Sequence, residues 1–264
     1  MTRSRESAST SQDHYVYGRQ PVLELLRTTS LPQKILIAKE LAPSGIIGRI
    51  RRAAEAVSVV VRVVPKSEID RLAAGGNHQG VLALAGRYRY APLEELLAHD
   101  APALLFLDGV TDPHNLGSLL RSADGAGFDG LVIPSHRSVG VTAAVRRVAS
   151  GAAEVIPVAR VTNLGRAIDE AREAGLWVIG LDEEADEELW SAALTERPVG
   201  LVLGAEGRGI SRHIRGRCDG LARIPTRGRL ASLNVAVAGA VAMFEIARRD
   251  SVAGTLPPTR SNDD

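Results

Sequence analysis

Five polar side chains, Asn115, Arg121, Glu206, Ser232 and Asn234, are of the types that hold a phosphate-bearing, polyhydroxylated ligand. Asn115 and Arg121 lie six apart in PHNLGSLLRSADGAG, Glu206 is the only carboxylate of the loop GAEGRG, and Ser232 and Asn234 flank Leu233 in RLASLNVAV. Amides and hydroxyls suit sugar hydroxyls, and a guanidinium grips phosphate oxygens two at a time. Glycines at 204, 207 and 209 allow backbone to approach a ligand closely, because no Cβ intervenes. Several chemistries are excluded. No Gly-Lys-Ser/Thr follows a glycine run, and GAEGRG has its glycines in the wrong order for a dinucleotide fingerprint. His and Cys at metal-ligand spacings are absent, and the carboxylates of DEEADEE (182–188), with no interleaved His, read as a solvated loop.

These residues need elements to bring them together. The apolar run Leu201 to Leu203 reads as a strand opening into the glycine loop. A second run, Leu221 to Pro225, leads into the basic loop Thr226 to Arg229, and Ser232, Leu233 and Asn234 open a long apolar helix ending near Arg249. Two strand ends, two loops and one helix N-terminus thus converge where open α/β sheets hold their ligands. Upstream, ALLFLD (103–108) is apolar enough to be buried on both faces, and Asn115 is a candidate cap for a helix over Leu116 to Ala123. Strands at 130–135, 155–161 and 176–182 alternate with helices at 142–154 and 163–175, which predicts a mainly parallel sheet. Before residue 88 the pattern is that of a small α/β layer domain. A helix starts at Tyr17 (YGRQPVLELLRT), helices follow at 44–57 and 67–73, and strands lie at 34–39, 59–65 and in VLALAGR. His78 reads as a turn residue satisfying local hydrogen bonds, with a ligand contact beside Gln79 as the alternative. The stretch 88–102 reads as a linker, with Tyr88 and Tyr90 as candidates for stacking on bases.

At 264 residues, 45% apolar and 24% charged, the chain has the composition of an ordinary globular protein with one large or two medium domains. The formal charge of +1 is uninformative, but its distribution is not. Between Glu206 and Ser232 stand seven Arg (208, 212, 215, 217, 223, 227, 229) against Glu206 and Asp219, a local excess of five suited to RNA phosphates. Cys218 is the only cysteine, which excludes an intrachain disulfide and makes a reducing cytoplasm the natural setting. No apolar run approaches bilayer length, and the first fourteen residues read as a disordered lead-in without the apolar core of a signal peptide.

Three segments, LDGVTDPHNLGSLLRSADGAG, LVLGAEGRGIS and IPTRGRLASLNVAVA, resemble in order the signature motifs of the SpoU/TrmH family, part of the SPOUT class of RNA methyltransferases. VYGRQPVLELL and NHQGVLA resemble that family's N-terminal substrate-binding domain, and VRRVASGAAEVIPVARVTNLGRA its segment between motifs, so the likeness covers about residues 15 to 249. The resemblance implies an α/β fold. Its parts are an N-terminal domain similar to ribosomal protein L30e (15–87) that binds RNA, a linker (88–102), a methyltransferase domain with a deep trefoil knot (103–249) and a flexible tail (250–264).

It also implies a homodimer that transfers methyl from S-adenosyl-L-methionine to the ribose 2′-hydroxyl of a guanosine in 23S ribosomal RNA. The substrate would be naked RNA or an assembly intermediate. The positions matching the family's cofactor contacts are Gly204, Ile224 and Leu233, and its polar site residues fall on Asn115, Arg121, Glu206, Ser232 and Asn234. In this family the Arg is held to deprotonate the hydroxyl. A guanidinium is effectively always protonated, so a phosphate or the developing alkoxide suits Arg121 better. Thr226 stands where the family commonly has methionine, and Ala236 where it has serine. Competing readings are the same chemistry on transfer RNA or another ribosomal nucleotide, and a non-catalytic RNA-binding protein. A nucleotide-dependent oxidoreductase is disfavoured by the missing fingerprint.

Overall fold

A computed structural model describes residues 15–27, 31–85, 88–192, 196–228 and 233–253. The lead-in 1–14, Gly86 and Arg87 of the expected last N-terminal strand, Arg229, Ser232 and the chain beyond 253 lie outside the described residues. The chain forms two compact units. Among the described residues, one comprises those up to Tyr90 with 112–121 and 139–157, and the other 91–111, 122–138 and those from Val158 onward.

The first unit is a four-stranded sheet with helices on it. Its elements are β1 (Tyr15–Tyr17), α1 (Arg19–Leu25), β2 (Lys34–Ala38), α2 (Gly45–Ala56), β3 (Val60–Val64), α3 (Lys66–Ala73) and β4 (Val81–Leu84), in sheet order β1-β4-β2-β3. Strand alternation separates two cores. Ile35 and Ile37 of β2 pack with Leu25 of α1 and Ile50 of α2, while Leu36 packs with Tyr17, Leu82 and Ile69 of α3. The helix expected from Tyr17 is preceded by β1, whose three residues are too few to carry a period; antiparallel pairing of Val16 with Ala83 makes the strand.

Two further helices, α6 (Ala143–Ala149) and α7 (Ala152–Val155), belong to this unit, with Arg147 stacked 5.7 Å from the Tyr17 ring centroid. They replace the single helix expected over 142–154. Thr142 caps α6, accepting a hydrogen bond from the Val145 amide at 3.4 Å, and the chain breaks at Ser150 and Gly151, both at positive φ.

The second unit is a six-stranded sheet in the order β10-β8-β9-β5-β6-β7, every neighbour parallel. Its strands are β5 (Ala103–Asp108), β6 (Gly130–Pro134), β7 (Val158–Val161), β8 (Trp177–Leu181), β9 (Val199–Gly204) and β10 (Gly220–Ala222). Its helices are α4 (Leu93–Leu97), α8 (Leu164–Glu173), α9 (Arg212–Arg215) and α10 (Val235–Ala253), while α5 (Pro113–Ala126) begins in the first unit and ends in this one. The parallel sheet matches expectation, and β5 is buried along its apolar length. Asn163 caps α8 through the Arg166 amide (3.1 Å), and Ile168 and Leu176 pack with Phe106 and Val202. At the opposite end of the sheet from the glycine loop, Arg197 donates to Asp129 (2.7 Å) and to the buried Asp250 (3.0 Å). No helix among the described residues is long and apolar enough to cross a membrane.

Candidate active site

The C-terminal ends of β8, β9 and β10, with the start of α10, enclose a cavity of about 490 Å³. Gly204, Ile224 and Leu233, the three expected cofactor positions, all line it, as do Glu206 and Asn234. The glycine loop closes on itself, since Ala205 and Gly209 exchange two backbone hydrogen bonds of 3.1 and 2.9 Å. Glycine at 204 is demanded by the chain itself. A Cβ there would stand 1.9 Å from the Gly209 carbonyl carbon and 2.2 Å from the Ile210 nitrogen. Beyond the loop, the Ser211 amide donates to Asp108 Oδ2 at 2.7 Å, which fastens the returning chain to the end of β5.

Asn234 joins the two loops. Its Oδ1 accepts from the amides of Ala236 (2.9 Å) and Val237 (3.3 Å), capping α10, and its Nδ2 donates to Glu206 Oε1 at 2.5 Å. The expected helix therefore starts at Val235, with Asn234 as its cap, and runs on to Ala253. Ser232 lies outside the described residues.

Asn115 and Arg121 are carried by α5. The cap is not Asn115: the helix begins at Pro113, and Asp112 holds its start by accepting from the His114 amide at 2.9 Å. Proline at the first helical position costs no hydrogen bond. Both candidates are thus helical, roughly 120° apart around the axis, Asn115 buried and Arg121 exposed. Gly117 between them lets α5 approach α6, since a Cβ there would lie 2.6 Å from that of Val148.

The structure thins the arginine patch. Arg215 pairs with Asp182 (3.3 Å) and Glu184 (3.5 Å), Arg217 with Asp169 (3.1 Å) and Arg223 with Glu188 (3.4 Å). Arg208, Arg212 and Arg227 are exposed, with no ion pair among the described residues. Asp182, Glu183 and Glu184, expected as part of a solvated loop, line the cavity. Cys218 is chemically quiet. Burial pushes its thiol up to about 12, and its sulfur lies 3.6 Å from the Ile214 carbonyl oxygen. Tyr88 and Tyr90 pack edge to face, with centroids 5.0 Å apart. Tyr88 lies against Arg146, and the Tyr90 hydroxyl accepts from the Val141 amide at 2.9 Å. His78 is the turn residue expected: it is buried, its Nε2 lies 2.7 Å from Asp70 Oδ1, and its Nδ1 lies 3.0 Å from the Gly80 amide.

The architecture is that of an α/β RNA methyltransferase. A solved AdoMet-bound rRNA methyltransferase from Sinorhizobium meliloti matches with a TM-score of 0.78 and 25% identity, over 93% of this chain and 91% of that one. The SpoU methyltransferase AviRb of Streptomyces viridochromogenes shares the fold, with a TM-score of 0.76 at 24% identity and 95% of each chain covered. Residues 102–244 match the SpoU rRNA methylase family model, and residues 15–91 match the model for RNA 2′-O ribose methyltransferase substrate binding. The chain belongs to the SpoU rRNA methylase family. It is accordingly an RNA 2′-O-ribose methyltransferase with S-adenosylmethionine as methyl donor. It is 45% identical to the 23S rRNA (guanosine-2′-O-)-methyltransferase RlmB of Shewanella oneidensis, over 75% of this chain and 82% of that protein. It is 38% identical to YacO of Bacillus subtilis, named for the TrmH family of tRNA/rRNA methyltransferases, over 92% of this chain and 99% of that one.

Proposed function

We propose that the protein methylates the ribose 2′-hydroxyl of a guanosine in 23S ribosomal RNA. The observation that carries the reading is the convergence of Gly204, Ile224 and Leu233, from three separate stretches, on one cavity with Glu206 and Asn234. The cavity has the size of a small-molecule site. Leu203, Ile224, Leu233 and Val235 give it apolar walls for a nucleoside base, and Glu183 and Glu206, which have no ion pair among the described residues, give it carboxylates for a cationic ligand beside the Arg215 that Asp182 and Glu184 already hold. S-adenosylmethionine fits that donor set and supplies, when bound, an electrophilic methyl on a sulfonium.

The protein's share of the reaction is positioning. Backbone at 204, 224 and 233 holds the cofactor, and the Glu206–Asn234 bond keeps glycine loop and helix start in register. Arg121 is exposed and makes no ion pair among the described residues, so its guanidinium is available to an RNA phosphate or the alkoxide developing at the 2′-oxygen, whose proton passes to that phosphate or to water as the methyl leaves the sulfonium, which is released as the neutral thioether S-adenosylhomocysteine. Asn115 orients the ribose. The RNA is gripped by residues 15–87, and 103–249 carry out the transfer beyond the 88–102 linker. The working form is a homodimer, supported by Val237 and Phe244, which stand seven residues apart on α10 and are each 51% exposed, and its compartment is the cytoplasm, which the single cysteine suits.

The test is transfer of labelled methyl from S-adenosylmethionine to unmodified 23S ribosomal RNA, with the label mapped by nuclease digestion and mass spectrometry. Label on one guanosine ribose, lost in Arg121→Ala while cofactor still binds, is expected. Label on transfer RNA alone would overturn the substrate assignment.

A further inference from the structure

The first unit carries a cleft of its own, far from neutral in its surroundings. Residues 15–85 hold ten Lys and Arg against five Asp and Glu, an excess of five in a chain whose total is +1. An open cleft of about 660 Å³ lies between the end of β2, the start of α3 and the turn 76–80. Arg19 and Lys66 line it, with Glu40 as its only carboxylate and the exposed amides of Asn77 and Gln79 on its rim. Lys66 is exposed, and neither cation has an ion pair among the described residues.

The turn is built rather than slack. Arg19 donates through Nε to the Gln79 carbonyl oxygen (3.2 Å), and its backbone amide donates to Gln79 Oε1 (3.3 Å). His78 holds the turn from beneath, its buried ring between Asp70 and the Gly80 amide. Gln79 sits at φ +49°, a left-handed conformation that a non-glycine residue keeps only when its surroundings fix it. Arg19, fixed on the turn, with the exposed Lys66, the Gln79 amide nitrogen, the Asn77 amide and one carboxylate, makes a site for a phosphate together with the polar edge of a base.

We propose that this cleft is a second RNA site, which takes one unpaired nucleotide of the substrate, its phosphate between Arg19 and Lys66 and its base edge on Gln79, Asn77 and Glu40. The proposal rests on the RNA-methylating reading above. The test uses the full chain with unmodified 23S ribosomal RNA and transfer RNA transcripts. It follows methyl transfer, and RNA retention on filters as salt rises from about 50 to 200 mM. For the RNA that the wild type methylates, Lys66→Ala and Arg19→Met should each raise KM roughly fivefold and reduce the salt slope by about one, with kcat and cofactor affinity kept. Arg49→Ala, an exposed cation on α2 outside the cleft, should do neither. Lys66 holds no other element in place, so its variant stays folded even if Arg19→Met loosens the turn. Wild-type KM and slope in Lys66→Ala, with methylation intact in the parent, would overturn the cleft alone, and an equal loss in Arg49→Ala would replace it with diffuse charge. A parent that methylates neither RNA would sink the catalytic reading and this one with it.

Discussion

Asn234 performs two tasks with one amide: its oxygen caps α10 and its nitrogen holds Glu206. Asn234→Ala should therefore cost about 1 kcal/mol of stability from the lost cap and weaken S-adenosylmethionine binding as well. Thermal denaturation and calorimetric titration check the two effects separately, and a variant that melts and binds like the parent would remove both roles. Glu206 and Asn234 were legible in the sequence because each stands at an element end beside glycines or an apolar helix. Asp108 and Asp182 were not. Asp108 stands alone after an apolar strand and Asp182 is one of a run of carboxylates that reads as solvated, and only the strand order, which sets β9 between β5 and β8, brings both beside Gly204. The arginine excess misled in the other direction, since charge counting does not see that Arg215, Arg217 and Arg223 already have carboxylate partners.

The corner between α6 and α7 shows the same limit among elements. Apolar periodicity runs through 142–154 as one helix, and the Ser150-Gly151 pair, placed near its end, is the sole local sign of the left-handed turn there. The corner buries Arg146 Nε 2.9 Å from Glu154 Oε1, with side chains 4% and 3% exposed. Burial raises the Glu154 pKa above its ordinary value although Arg146 pulls it down, so desolvation outweighs attraction. A carboxyl whose folded pKa is raised contributes most when protonated, below its unfolded pKa, and that contribution is lost as pH rises through the folded pKa. Arg146→Met should cost about 3–5 kcal/mol at neutral pH by stranding the carboxylate, and recover part of it on acidification. Glu154→Gln should fold and flatten the pH dependence. Urea denaturation across the acid-to-neutral range measures both, and a loss in Arg146→Met that does not vary with pH would assign the effect to packing. β1 escaped detection for a related reason: three residues hold no period, and their strand exists only through β4.

For the molecule as a whole, charge and apolar surface are unevenly shared. The excess of five cations in residues 15–85 leaves the remainder of the chain at −4, given the total of +1. In the proposed function the steering of RNA falls to the N-terminal part, and the half-exposed Val237 and Phe244 on α10 are where the proposed second copy would sit. Phe244→Glu should halve the mass found by sedimentation equilibrium, and a dimer that survives it would locate the interface elsewhere. The parallel architecture was legible from apolar runs alternating with helices, but the strand order was not, because no local pattern says which neighbours meet. That order bears on synthesis. One of the two central strands of the six-stranded sheet, β9, pairs Val199 with Ala103, 96 positions earlier, and separates β5 from β8. While the chain leaves the ribosome, β5 and β8 wait with bare hydrogen-bonding edges until β9 emerges to fill the gap between them. A nascent chain stalled short of residue 199 would present the β5 edge and both edges of β8 at once, so the stretch most exposed to misassembly is the one made just before the cavity can form.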